Sequence, residues 1–93
     1  EKVMQSVCDY FNITKEILLS RTRKRQIVQA RQIAMYLCRN RINCSLSTIG
    51  NEIGGKDHAT VLHACSTVND LIETDKLFRQ YVSDIEKMLV SVN

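Results

Sequence analysis

Ser45-Leu46-Ser47-Thr48-Ile49-Gly50-Asn51-Glu52-Ile53-Gly54-Gly55-Lys56-Asp57-His58-Ala59-Thr60-Val61-Leu62-His63-Ala64-Cys65-Ser66-Thr67-Val68-Asn69-Asp70-Leu71 is the stretch that decides the fold. It reads as a short helix, a glycine turn and a longer helix. Ser45 or Ser47 offers a side-chain oxygen to the unpaired N–H groups that open the first helix. Leu46, Ile49 and Ile53 recur at a helical interval and give that helix one apolar side. Gly54-Gly55 stops it, because glycine takes positive φ without a Cβ clash. Asp57 stands where the next helix needs its N-cap. Val61, Cys65, Val68 and Ile72 then mark a buried stripe at steps of four, three and four. Lys56, Asp57, His58, Ala59, Thr60 and His63 are left at the exposed start. Two helices joined by a short glycine turn form the helix-turn-helix signature, whose second helix enters the major groove of DNA.

Charge is distributed in keeping with that signature. The net charge of the 93 residues is only +3. Residues 1–16 net −1 and residues 52–93 net −3, whereas residues 17–51 hold Arg21, Arg23, Lys24, Arg25, Arg31, Arg39 and Arg41 with no acidic residue. A solvated helix face normally mixes both signs. Segregation on this scale gives the footprint of a polyanion binder.

Length and a 44% hydrophobic content fit one domain with a single modest core. No apolar run reaches the roughly 18 residues a membrane span needs, and nothing resembles a signal peptide. Cys8, Cys38, Cys44 and Cys65 lack any Cys-x-x-Cys spacing, and three of them fall on apolar helical phases. Reduced, buried thiols of an intracellular protein fit that pattern better than a disulfide framework. The chain starts abruptly in a helical pattern, as a piece of something longer would.

Taken in order, Met4, Val7, Cys8 and Phe11 predict an amphipathic helix over residues 2–11, ended by Asn12. Thr14 is placed to cap a short helix through Leu19, with Glu16 favourable in its first turn. Residues 20–26 carry four charges and no apolar anchor, which reads as an exposed basic loop. Ile27, Ala30, Ala34, Leu37, Cys38 and Ile42 mark a long central helix with Gln29, Arg31, Gln32, Arg39 and Asn40 outside. Asn43-Cys44 breaks the chain before the helix-turn-helix. After it, Thr74 or Asp75 caps a last helix whose stripe is Phe78, Val82, Ile85, Leu89 and Val92. Asp84 and Glu86 suggest that this helix faces away from a polyanion.

The wording from Gly54 to Ala64 closely resembles the signature of the C-terminal DNA-binding domain of the DnaA bacterial replication initiators. That family usually reads Gly-Gly-Arg-Asp-His-Thr-Thr-Val-Leu-His-Ala. The resemblance extends through residues 30–37 and 46–50 and so covers most of the chain. It implies an all-α, Trp-repressor-like domain with a central helix-turn-helix. By the same token it implies monomeric binding of double-stranded DNA at short asymmetric A·T-rich DnaA boxes of a replication origin, in the cytoplasm at the nucleoid. The family's ATP-dependent steps belong to an upstream ATPase domain outside these residues, so this chain is expected to use no cofactor and to catalyse nothing.

The resemblance also assigns roles. Asp57, His58 and Ala59 would read bases in the major groove; an Asp can accept from cytosine, and a methyl can pack on thymine. Ala59 departs from the usual threonine, and Lys56 from an arginine whose bidentate fork it lacks. Arg23 matches by register the arginine that enters the minor groove, with Arg21 and Arg25 as competitors in the same loop. Lys56, Thr60, His63, Arg25, Arg31, Gln32, Ser47 and the backbone at Leu46 would hold phosphates, Arg31 and Gln32 near a helix start that favours anions.

Other readings stay open. Asp57 can be a cap alone, His58 an idle surface histidine, and His63 a packing residue on the central helix. Cys38-x5-Cys44-x13-His58-x4-His63 lies near zinc-finger spacing, but its Cys-to-Cys gap is too long and no strand pattern precedes the histidines. No carboxylate pair, nucleophile–base spacing or phosphate-cradling loop points to an enzyme. A dimeric helix-turn-helix transcription regulator or a helical protein-interaction module are the alternatives from other classes.

Overall fold

Six helices make up the described part of the chain: α1 Lys2–Phe11, α2 Lys15–Leu18, α3 Arg25–Asn40, α4 Leu46–Glu52, α5 His58–Thr74 and α6 Lys76–Ser91. The computed structural model describes residues 2–53, 55 and 57–91. The expectations for Gly54, Lys56 and Val92 lie outside them. Helix, turn and bend account for the regular structure, with no strand among the described residues, so the domain is all-α.

Each helix end follows from a local side chain. Asn12, at φ 57°, closes α1 in a Schellman arrangement, its own N–H donating to Asp9 O at 3.3 Å and the Ile13 N–H to Cys8 O at 3.0 Å. Thr14 caps α2 through Oγ1, which accepts from the Ile17 N–H at 3.2 Å. Of the two candidate serines, Ser45 caps α4 and accepts from the Thr48 N–H at 3.1 Å. Ser47 falls inside the helix. Asn43 at φ 62° and Gly55 at φ 61° turn the chain before and after α4. No atom crowds Gly55 within 4 Å, so it is the left-handed backbone, not lack of space, that favours glycine there. Asp75, not Thr74, bridges the last two helices: its N–H donates to Leu71 O at 2.8 Å, and its Oδ1 accepts from the Phe78 N–H at 3.1 Å.

The central helix α3 packs on α1, α2, α4 and α5, while α6 closes the far side against α1 and α5. Ile33, Ala34 and Leu37 of α3, Ile49 and Ile53 beside α4, Val61 and Val68 of α5 and Phe78 and Ile85 of α6 are all buried in one core. Phe11, Tyr10 and Tyr81 stack edge to face at 5.1 to 6.0 Å where α1 meets α6. Tyr10 donates its hydroxyl to Asp84 Oδ2 at 2.8 Å across that junction.

Several expectations are corrected here. On α5, Ala64 is buried with Val61 and Val68 while Cys65 and Ile72 are only half-buried. The stripe keeps Val61 and Val68 and takes the small Ala64 in place of Cys65 where α5 packs on α3. Ile42 was expected in the α3 stripe, but α3 ends at Asn40 and Ile42 is exposed. Cys8 and Cys38 are buried, Cys44 and Cys65 half-buried, and all four are free thiols. Burial pushes the Cys38 thiol up to about 12. Cys38 therefore lies in the core, whereas His58 and His63 are exposed on α5. No described helix is long and apolar enough to cross a membrane.

Candidate nucleic-acid interface

The helix-turn-helix holds the first turn of α5 open to solvent. Asp57 caps α5, its Oδ1 accepting from the Thr60 N–H at 2.8 Å. That hydrogen bond, with a further one from the Thr60 hydroxyl, keeps the Asp57 carboxyl below the usual carboxylate range. Capping is therefore part of what Asp57 does. One carboxylate has four acceptor sites, so the cap leaves capacity for a second donor. His58, Ala59, Thr60 and His63 are exposed, while Val61 and Ala64 fix the opposite side of the same turns in the core.

Three shallow grooves join the residues singled out by the sequence. Ser47 and Asn51 of α4 share the first with Asp57, His58 and Ala59. Gln32, Met35 and Arg31 of α3 share the second with Thr60, His63 and Ala64. The third runs along the basic loop, from Leu19 through Arg23, to Val28, Arg31 and Gly55. Val28 and Arg31 line both of the last two, and Ala59-Thr60 links the first to the second. The result is one continuous face, and among the described residues none of α6 lines any of the three.

His63 thus lies beside Gln32, as a pair of polar groups at a groove rather than a core contact. Leu46 is half-buried at the first position of α4, where its backbone N–H belongs to the uncapped set of a helix start. Asn51 is a residue that sequence reasoning missed. Its signal was available: it is four positions after Ser47 and so shares its side of α4.

The basic loop differs from expectation in two ways. Arg25 and Gln26 belong to the first turn of α3, not to the loop, and Arg25 is exposed without lining any of the grooves. Lys24 occupies the N-cap position without a side-chain cap bond. A helix start carrying two cations and no cap opposes its own dipole, a local conflict that an incoming anion relieves.

The loop itself is tied down. Ser20 Oγ donates to Ile17 O at 2.7 Å and accepts from the Thr22 N–H at 3.4 Å, and Thr22 Oγ1 accepts from the Lys24 N–H at 3.3 Å. Ser20 and Thr22 were not singled out by the sequence. Serine and threonine in a loop are the cue, since their hydroxyls mimic turn hydrogen bonds.

Arg31 is the main correction. It was expected outside, near a helix start, but it is only 9% exposed and lies in the second turn of α3. Its Nε donates to Leu18 O at 2.6 Å and its Nη2 to Thr22 O at 2.7 Å. Burial pulls its pKa down from the ordinary arginine value. Arg21, Arg23 and Arg25, by contrast, are exposed.

Fold and site together define a helix-turn-helix domain with a polar, basic-edged face. Comparison with known proteins gives the same class. The family model for the bacterial dnaA protein helix-turn-helix matches residues 1–68. The chain is 52% identical over 87 residues to the chromosomal replication initiator protein DnaA of Flavobacterium psychrophilum, covering 94% of this chain and 18% of that protein. It is 48% identical over 89 residues to the DnaA of Bacteroides thetaiotaomicron, covering 96% of the chain and 19% of the relative. The Lactobacillus delbrueckii subsp. bulgaricus DnaA is 47% identical over 88 residues, 95% of the chain and 19% of the relative. The chain belongs to the bacterial DnaA helix-turn-helix family, and it spans about a fifth of the length of the relatives it matches.

Proposed function

We propose that this chain binds double-stranded DNA sequence-specifically, as a monomer on short asymmetric DnaA boxes, and serves initiation of chromosomal replication in the bacterial cytoplasm. The observation that carries the reading is the continuous face. It joins the open first turn of α5, the polar residues of α3 and α4 and the basic loop.

In this reading the first turn of α5 lies in the major groove. Asp57 accepts from a cytosine amino group while still capping its helix, His58 meets a base edge, and Ala59 packs on a thymine methyl. Arg23 enters the adjacent minor groove, where a narrow A·T-rich segment concentrates negative potential. Thr60, His63, Gln32, Ser47, the Leu46 backbone and Arg25 at the uncapped start of α3 hold phosphates and set register. Lys56 belongs with them by its place in the sequence, next to Asp57. The chain itself performs no catalysis and takes no cofactor; ATP-dependent steps fall to the rest of a full-length initiator.

A salt titration of binding by fluorescence anisotropy tests this, with a DnaA-box duplex and a shuffled duplex of equal composition. Roughly five to seven phosphate contacts give a log–log salt slope of about −5 to −6. Specific binding should exceed shuffled binding on the order of 10³-fold at physiological salt. Equal affinity for both duplexes refutes sequence reading and leaves only a basic DNA-coating surface. Failure to bind either refutes the DNA reading outright.

A further inference from the structure

We infer that Arg31 is a positioning residue: from α3 it holds the basic loop in the shape that presents Arg23 to the minor groove. This rests on the DNA reading above and deepens it. The two carbonyls that Arg31 grips are those of Leu18, which ends α2, and of Thr22, which immediately precedes Arg23. One planar guanidinium therefore spans the bend of the loop at 2.6 and 2.7 Å. Ser20 and Thr22 complete the tie through their hydroxyls, the second reaching the Lys24 N–H. Arg23 is left with tied residues on both sides and an exposed side chain of its own.

The burial argues for this role over that of a plain phosphate ligand. A side chain waiting for phosphate gains nothing from being 9% exposed with its Nε and Nη2 both donating to loop carbonyls. Preorganising the loop lowers the ordering cost at binding, so more of the Arg23 contact appears as affinity. Arginine is required because its rigid fork can donate in two directions at once, which a lysine ammonium on a flexible stem does not reproduce. The charge is not wasted, since it adds to the positive potential of a span with no acidic residue between 17 and 51.

The discriminating substitution is Arg31→Lys, which keeps the charge that a phosphate contact needs and loses the fork. Binding is measured by fluorescence anisotropy on a DnaA-box duplex. The same measurement is made on that duplex with 2-aminoadenine at the minor-groove step, which keeps the major-groove edge and adds a minor-groove amino group. The wild-type chain should bind the modified box about tenfold more weakly, the size of one base contact. Arg23→Ala should bind both alike. Arg31→Lys should bring the ratio close to one, and Arg31→Lys combined with Arg23→Ala should bind no more weakly than Arg23→Ala alone. A wild-type ratio retained in Arg31→Lys, or an additive loss in the double variant, overturns the inference. So does a wild-type chain that prefers the box yet ignores 2-aminoadenine. A wild-type chain with no preference for the box over the shuffled duplex refutes the DNA reading instead. If a melting curve shows that Arg31→Lys does not fold, Arg31→Gln, whose shorter side chain cannot span the Leu18 and Thr22 carbonyls, carries the same test, since the ratio of the two duplexes does not depend on the lost charge. A ratio reduced at least threefold then supports the inference, and an unchanged ratio overturns it.

Discussion

Replacing Ile49 by alanine tests whether α4 is held by packing or merely follows its turns. A helix of seven residues does not persist alone in water. Its anchors are Ile49 and Ile53, 1% and 0% exposed, with Leu46 half-buried beside them. Truncating a fully buried isoleucine to alanine costs about 2–5 kcal/mol, and a site this enclosed justifies about 3 kcal/mol. At roughly 0.05–0.15 kcal/mol per residue, a domain of 93 residues has about 5–14 kcal/mol to lose. Ile49→Ala should therefore still fold at room temperature, with a melting temperature lower by about 12–24 °C at about 4–8 °C per kcal/mol. Urea titration followed by circular dichroism measures the loss directly. The midpoint should fall while the slope stays constant, because the same surface is exposed on unfolding. Preference for the DnaA box should fall as well, because Ile49 seats the helix that carries Ser47 and Asn51 beside His58. Salt-sensitive binding to the shuffled duplex should persist, since the basic loop is untouched. A loss below about 1 kcal/mol, or a reduced urea slope, would show that α4 lies outside the cooperative core. The groove between α4 and α5 could not then be a fixed element of the site.

Two further outcomes follow from single hydrogen bonds. The Tyr10 hydroxyl, and after it Gln80, holds the Asp84 carboxyl below the usual carboxylate range, while burial first and Asp84 second push Tyr10 up to about 12. The Asp84 contribution to stability is present above the unfolded carboxylate pKa of about 3.9 and is lost as pH falls through the lower folded value. The Tyr10 contribution is complete below about pH 10 and is lost as pH rises through about 12. Tyr10→Phe should flatten both limbs of a melting-temperature profile, and limbs that match wild type would remove this pair from the account. Asp57 separates capping from base reading: Asp57→Asn keeps an acceptor for the Thr60 N–H, so its melting temperature should stay near wild type while box affinity drops on the order of tenfold. Asp57→Ala should lose both. Equal box affinity for Asp57→Asn and wild type in the anisotropy assay would reduce Asp57 to a cap.

Much of this domain was legible along the chain because its deciding interactions are local. A cap and the N–H it satisfies lie three residues apart, as with Thr14, Ser45, Asp57 and Asp75. A left-handed residue marks its own turn, as with Asn12, Asn43 and Gly55. An apolar residue at every third or fourth position chooses its own side of a helix. The six helices, the helix-turn-helix and the exposed turn from Asp57 to His63 follow from such terms, and the charge-free-of-acid span locates the basic edge. Periodicity resolves helix rotation only to about one residue, so Ala64 and Cys65 could not be ranked until α3 was seen against α5. Loop residues carry no periodicity at all, and the ties made by Ser20 and Thr22 emerged only with their partners in place. Arg31 shows the limit most clearly. A sequence assigns an arginine to solvent because burying its charge without acceptors is costly. Whether acceptors await it depends on where the chain has already placed the carbonyls of Leu18 and Thr22, thirteen and nine residues away. The helices and their exposed chemistry were written in the sequence; which side chains stay open to solvent and which are drawn in to hold neighbouring backbone was decided by tertiary packing.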